Sequence, residues 1–280
     1  FKAATNPNST PAAISAMKRK ILKLTQTIGL LALMSFTIAP PQKIKIWMIG
    51  DSTMCLYPTR QYPIAGWGMP FANYFDASVS VHNYARGGRS TRTFLSENLW
   101  QPVADSLQEG DYVFIQFGHN DEAKEPQYAA RYTSVPDYKI NLIKFITESR
   151  AKKAIPILVT PVSRRKFDKD GNAQETHTEY NAAVFEVGKQ YNVPVIDLDK
   201  KSRELYQVLG PKRVQYLAMA LDTGEHPNYP NGQKDNTHFN EYGARRMAEI
   251  VLNDIKAQHL PLADRIVKGM NAPTVNPQAK

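Results

Sequence analysis

The 280-residue chain contains a single cysteine, Cys55, which excludes an internal disulfide framework and any zinc or iron-sulfur site built from several thiolates. No G-x-x-x-x-G-K-[ST] run occurs, and Gly66-Trp67-Gly68 lacks the third glycine of a dinucleotide fingerprint, so nothing points to a nucleotide cradle. A membrane-spanning helix needs ~20 mainly apolar residues. The best N-terminal stretch is cut short by Lys23, Gln26 and several threonines. Acidic residues are absent before residue 41, where Lys2, Lys18, Arg19, Lys20 and Lys23 supply more than half of the net charge of +9. The basic balance is therefore partly a property of the leader. Elsewhere there is no RNA-binding signature, no Cys/His finger spacing and no basic run interleaved with aromatics, which argues against a nucleic-acid partner.

What is present is ordinary for a globular protein: 42% hydrophobic and 22% charged residues, enough for a real core. From Met17 the chain reads as an export signal, with a positive start, an apolar segment at about residues 28–36 and small residues near Ala39. Residues 1–16 are read as an upstream extension, 17–39 as the signal and 40–280 as one domain. Pro40-Pro41 stands where a lipoprotein would carry its cysteine. The expectation is an exported monomer, periplasmic or extracellular, without a stable membrane anchor.

Short β-branched runs at residues 44–49, 79–84, 112–117, 155–160 and 193–198 alternate with amphipathic stretches, of which 137–153, 179–191 and 241–258 are the clearest. That alternation builds a parallel sheet covered by helices on both faces, an α/β fold. Asn240 is placed to cap the last helix. Residues 222–237 read as a long turn-rich loop that shapes a site. In such a sheet ligands gather beyond the carboxyl ends of the strands. The segments there are Gly50-Asp51-Ser52-Thr53, 85–90, Gly118-His119-Asn120-Asp121 and Pro161-Val162-Ser163.

Ser52, two residues past the first run, is the leading nucleophile, because a strand-to-helix turn can expose its hydroxyl beside free backbone N–H groups. The G-x-S-x-G elbow is only half matched, since Met54 replaces the second glycine. A serine needs a base, and the base a carboxylate on its other nitrogen. Asp235-Asn236-Thr237-His238 can supply both, although Asp51, His119 and Asp121 also stand near strand ends. The backbone N–H groups of Ser52 and Gly88 and the Asn120 amide could receive a developing oxyanion. Taken singly, each of these is more often a turn or a cap.

Their joint order is more telling. GDSTM at 50–54, ARGGRSTRTF at 85–94, QFGHND at 116–121, TPVSRRKF at 160–167 and DNTHFNEYGA at 235–244 together resemble the SGNH (GDSL) hydrolases, and within them the rhamnogalacturonan acetylesterase branch. The likeness runs over roughly residues 44–258. It implies a flavodoxin-like three-layer α/β/α sandwich of about five parallel strands, Ser52 as nucleophile, His238 as base, Asp235 as orienting acid, and Ser52, Gly88 and Asn120 as oxyanion donors, with no metal or organic cofactor. The expected activity is removal of O-acetyl groups from an acetylated acidic polysaccharide, rhamnogalacturonan; the alternatives are a lipid or aryl esterase, or an acetylesterase for another glycan such as xylan. Arg86, Arg89, Arg92, Arg164 and Arg165 flank the expected site, and guanidinium forks suit galacturonate carboxylates. Arg89, His119 and Arg165 are the side chains expected to touch the glycan.

Overall fold

The apolar runs pair as a parallel sheet whose strands are β1 (Ile44–Gly50), β3 (Val79–Asn83), β4 (Tyr112–Gln116), β5 (Ile155–Val159) and β6 (Val195–Ile196), in the order β3-β1-β4-β5-β6. The computed structural model describes residues 43–267, so the segments read as extension and export signal lie outside the described residues. Among the described residues no helix is long and apolar enough to cross a membrane. The strand order is that of the flavodoxin-like doubly wound sheet, whose topological switch lies between its first and third strands, here β1 and β4. The loops that leave those two strands carry Ser52 and Asn120.

The pleat sorts β1 into two cores. Ile46 and Met48 join Trp67, Phe71, Phe114 and Met247 on one face, while Trp47 and Ile49 join Phe94, Trp100, Val113 and Phe145 on the other. Helices α4 (Val135–Ala151) and α5 (Thr178–Tyr191) cover the second face; α6 (Leu198–Arg213) and α7 (Glu241–Ala257) cover the first. Three short helices, α1 (Gly68–Phe71), α2 (Thr91–Ser96) and α3 (Gln101–Ser106), complete the α-helices of the described residues. Asn240 caps α7, its side chain accepting the Gly243 N–H at 2.9 Å. Met247, Val251, Leu252 and Ile255 of α7 are buried, each worth ~1.5–3 kcal/mol relative to exposure. Helix α4 starts two residues earlier than its apolar spacing suggests, because Ser134 accepts the Asp137 N–H and Pro136 is tolerated in a first turn.

Two sequence expectations need correction. The last run, 193–198, pairs only at Val195 and Ile196. Pro194 has no N–H to donate, and Asp197 leaves the strand to cap α6 through the Lys200 N–H at 3.1 Å. Residues 222–237 are not all loop, for β8 (Gln233–Asn240) takes in their end, from residue 233 on, in a small antiparallel sheet, order β2-β8-β7, with β2 (Ile64–Ala65) and β7 (Ala218–Leu221). Ala218 faces Phe239 and Ala220 faces Lys234. Met219 alone lies between Ala218 and Ala220, whereas Asp235, Asn236, Thr237 and His238 lie between their partners Lys234 and Phe239. These four residues therefore bulge out of the ladder, a device that re-aims side chains at strand ends.

Candidate active site

The Ser52 turn is held from beneath. Asp51 is fully buried; its Oδ1 accepts the Thr53 N–H at 2.9 Å and the Thr53 hydroxyl at 2.8 Å, and its carbonyl accepts the N–H groups of Met54 and Cys55. Gln116, the last residue of β4, donates to Thr53 Oγ1 at 2.7 Å and accepts from the Trp67 indole. A Cβ on Gly50 would stand 2.5 Å from the Gln116 carbonyl oxygen, so only glycine lets β1 and β4 end this close together. The Tyr57 hydroxyl donates to the Ser52 carbonyl at 2.9 Å. Ser52 Oγ is left pointing at His238.

His238 Nε2 lies 2.8 Å from Ser52 Oγ, and His238 Nδ1 lies 2.7 Å from Asp235 Oδ2. Asp235 Oδ1 accepts the N–H groups of Thr237 at 2.7 Å and His238 at 2.9 Å, so the bulge is stitched by the same carboxylate that orients the ring. Partial burial alone would raise the Asp235 carboxyl, but the His238 hydrogen bond and charge, with the two backbone donors, outweigh it and hold the group well below the usual carboxylate range. An ionised carboxylate can only accept, so Nδ1 carries the ring proton and the Nε2 lone pair faces the serine. The His238 side chain is 28% exposed, which leaves the site open to a ligand. The arrangement can move a proton from serine to imidazole.

Gly88 adopts φ of +77°, a conformation that favours glycine, in the loop tied to β1 by the Arg86 N–H on the Gly50 carbonyl at 2.9 Å. Asn120 is buried and donates one amide hydrogen to the Arg89 carbonyl at 2.9 Å, which fixes its plane and leaves a second N–H. Among the described residues the backbone N–H groups of Ser52 and Gly88 meet no acceptor.

The other acids and bases near the strand ends make no hydrogen bond to the Ser52 hydroxyl. Asp121 Oδ1 accepts the Thr91 N–H and hydroxyl, linking the β4 loop to the start of α2, and burial pushes this carboxyl up to about 7. Burial likewise raises Asp51. His119 is buried edge-on against His177, its ring nitrogens without partners; burial first, then His177 and Arg164, push it well below the ordinary histidine value. Cys55 is buried beside the turn, its thiol pushed up to about 11 by burial, which makes it a poor nucleophile.

The arginines are less free than their spacing suggests. Arg89 donates to Glu97 at 2.9 Å and to the Gly87 carbonyl at 2.9 Å. Arg164 donates to Thr237 Oγ1 at 2.6 Å and to Glu122 at 3.2 Å. Arg165, singled out as a glycan contact, donates to the backbone carbonyls of Asp235 and His238 and lies over the Phe239 ring at 5.8 Å. Its charge braces the bulge from behind. Both Arg165 and His119 border open space: Arg165 lines a 770 Å³ pocket with Phe167, Lys234, Asp235 and Asn236, and His119 a 670 Å³ pocket with Glu122, Tyr128, Arg131, Arg164 and His177 that reaches Asn236 beside the acid. Tyr57 and Trp67 support the turn without any signal in their local sequence, whereas Gln116 does so from the head of the QFGHND segment.

A doubly wound sheet with a serine, histidine and carboxylate in line beyond its switch point is the arrangement of a serine hydrolase. The chain belongs to the GDSL-like lipase/acylhydrolase family, whose profile matches residues 48–246. It is 41% identical to the rhamnogalacturonan acetylesterase RhgT of Bacillus subtilis over 224 residues, 80% of this chain and 94% of that protein. It is 34% identical to the probable rhamnogalacturonan acetylesterase YesY of the same organism, covering 80% and 97% of the two chains. Among solved structures, the B. subtilis protein YxiM superposes with a TM-score of 0.67 at 28% identity; 79% of this chain matches 58% of that one.

Proposed function

We propose that the protein is an exported carbohydrate esterase that removes O-acetyl groups from rhamnogalacturonan through an acetyl-enzyme on Ser52. The observation that carries the reading is the unbroken relay from Asp235 to His238 to Ser52, at 2.7 and 2.8 Å. His238 takes the hydroxyl proton as Ser52 Oγ attacks the acetyl carbonyl, then returns it to the departing sugar oxygen. Water, deprotonated by the same ring, releases acetate. The N–H groups of Ser52 and Gly88 and the free Asn120 N–H take the oxyanion. Export rests on the sequence of residues 17–39 alone, and the glycan on the polar walls of the His119 pocket and on the acetylesterase relatives.

Acetate release from acetylated rhamnogalacturonan and from acetylated xylan, measured side by side, tests the substrate. The pectic polymer should be the better one, and equal or faster turnover of xylan removes the pectic assignment. Asn120→Ala is expected to lower kcat/KM about a hundredfold, on the order of 3 kcal/mol, chiefly through kcat. A silent change would take Asn120 out of the oxyanion site.

One observation favours a second reading, an esterase for longer acyl chains. A 480 Å³ depression lined by Cys55, Leu56, Tyr84 and Leu99 lies on the Gly87 side of the turn. Faster hydrolysis of p-nitrophenyl octanoate than of the acetate ester would establish that reading instead.

A further inference from the structure

An acidic glycan needs a cation free to meet its carboxylate. Arg89 and Arg164 each face a glutamate, and Arg165 gives its Nη2 to backbone carbonyls while its Nη1 is buried without an acceptor. Arg86 and Arg92 are exposed and border other depressions. Among the described residues Arg131, like Arg86, Arg92 and Arg165, has no carboxylate within ion-pair distance, but of these four it alone lines the 670 Å³ pocket beside His119. Its guanidinium sits 3.9 Å over the Tyr128 ring, and its Nε is sheltered from water without an acceptor. Its Nη1 lies 3.8 Å from the point where a Cβ on Gly88 would stand, at the edge of the oxyanion loop.

The segment that carries Arg131 is fixed in place. Its ends are joined by the Thr133 N–H on the Asp121 carbonyl at 3.0 Å, and the Tyr180 hydroxyl reaches both of those residues' carbonyls, at 3.1 and 2.6 Å. Within it, the Arg131 N–H donates to Tyr128 at 2.9 Å and the Arg131 carbonyl accepts from the Thr133 hydroxyl. The cation is thus preorganised toward the 670 Å³ pocket. Of the acids around that pocket, Glu122 is shared by Arg164 and His177, Glu179 pairs with Lys124 at 3.9 Å, and Glu125 is exposed, none of them at ion-pair distance from Arg131.

We propose that this pocket is a uronate subsite and that Arg131 is its specificity-determining residue, holding a galacturonate carboxylate in bidentate fashion while the acetyl group of the same glycan lies on Ser52. The inference rests on the pectic reading above. A half-sheltered guanidinium with no acid partner gains from a carboxylate ligand, since its Nε is already out of water and the side chain is held over the Tyr128 ring. Glycan binding there would also leave the Ser52 hydroxyl unobstructed, because the pocket borders the relay at Asn236 rather than covering it.

The test compares acetylated rhamnogalacturonan oligosaccharides with free carboxyls against the same oligosaccharides as methyl esters, for the wild type, Arg131→Gln and Arg131→Lys. The wild type should prefer the free acid. In Arg131→Gln the ratio of kcat/KM for acid over ester should fall roughly tenfold or more, mainly through KM, and lysine should restore part of it as a point charge without the fork. Calorimetric titration of a deacetylated, free-acid oligosaccharide into Ser52→Ala and into Ser52→Ala with Arg131→Gln gives a second readout that needs no turnover; binding should weaken by a similar factor. If the wild type prefers the acid but both ratio and binding are unmoved by Arg131→Gln, the subsite assignment is overturned and the pectic reading stands. If the wild type deacetylates neither pectic form yet acts on acetylated xylan, both are overturned.

Discussion

Ser52→Ala is expected to lower kcat toward acetyl esters by at least about 10⁴-fold, approaching the 10⁶-fold losses seen when a nucleophile is deleted from a serine relay. The oxyanion donors and the glycan pocket survive the change, but no atom remains to form the acetyl-enzyme, so the residual rate reflects assisted attack by water. Folding should be little affected. The Ser52 hydroxyl bonds only to His238, its carbonyl keeps the Tyr57 hydroxyl, and the turn is anchored through Asp51, Thr53 and Gln116. The melting temperature should therefore move by no more than ~2 °C, in line with a surface change away from caps and cores. Steady-state rates, together with a search by mass spectrometry for an acetylated Ser52 peptide in the wild type, check the expectation. A rate above a hundredth of wild type in a carefully purified variant would mean that another group attacks the ester.

What the sequence could and could not disclose follows from how each residue reaches the site. Ser52, Gly88 and Asn120 are legible because they follow β-branched runs, and strand ends are where a parallel sheet gathers its ligands. Asp235 and His238 are legible as a pair, for the three-residue spacing lets one carboxylate serve both the ring and the local backbone. Their support is not. The bulge in β8 depends on its pairing with β7, which only the antiparallel register defines. Helix α6 escapes the apolar-period test because its buried stripe, Leu198, Asp199, Ser202 and Tyr206, is half polar. Arg131 is hidden for a related reason: it stands in a turn-rich stretch with no periodicity, and only the Asp121–Thr133 closure returns it to Gly88. Of the arginines next to the motifs, Arg89, Arg164 and Arg165 are held by neighbouring acids and carbonyls, whereas Arg86 and Arg92 are exposed.

Asp235→Asn removes a charge but keeps the shape, and its effect follows from which atoms must accept hydrogen bonds. Oδ1 takes two backbone N–H groups, from Thr237 and His238. An asparagine therefore keeps its oxygen on that side, since turning its amide nitrogen there would oppose donor to donor and open the bulge. The nitrogen is left facing His238 Nδ1, where the carboxylate oxygen stood at 2.7 Å. It donates to Nδ1, the ring proton moves to Nε2, and the ring now donates to Ser52 Oγ instead of accepting from it. A base in the wrong tautomer costs roughly 10³- to 10⁴-fold in kcat, less than deletion of the nucleophile. Stability carries a separate signature. The folded Asp235 carboxyl ionises well below the ordinary carboxylate value, so its contribution is complete above that ordinary value, near pH 4, and is lost as the pH falls through the depressed folded one. Asparagine has no such contribution, so the stability difference between wild type and variant should be constant near neutrality and shrink in acid. Denaturant titrations from neutral pH down to the lowest pH at which both proteins stay folded, run alongside kcat measurements, test both halves. A variant within tenfold of wild-type kcat would show that Asp235 does not set the tautomer of His238, and a stability gap that widens in acid would place the depressed carboxyl elsewhere.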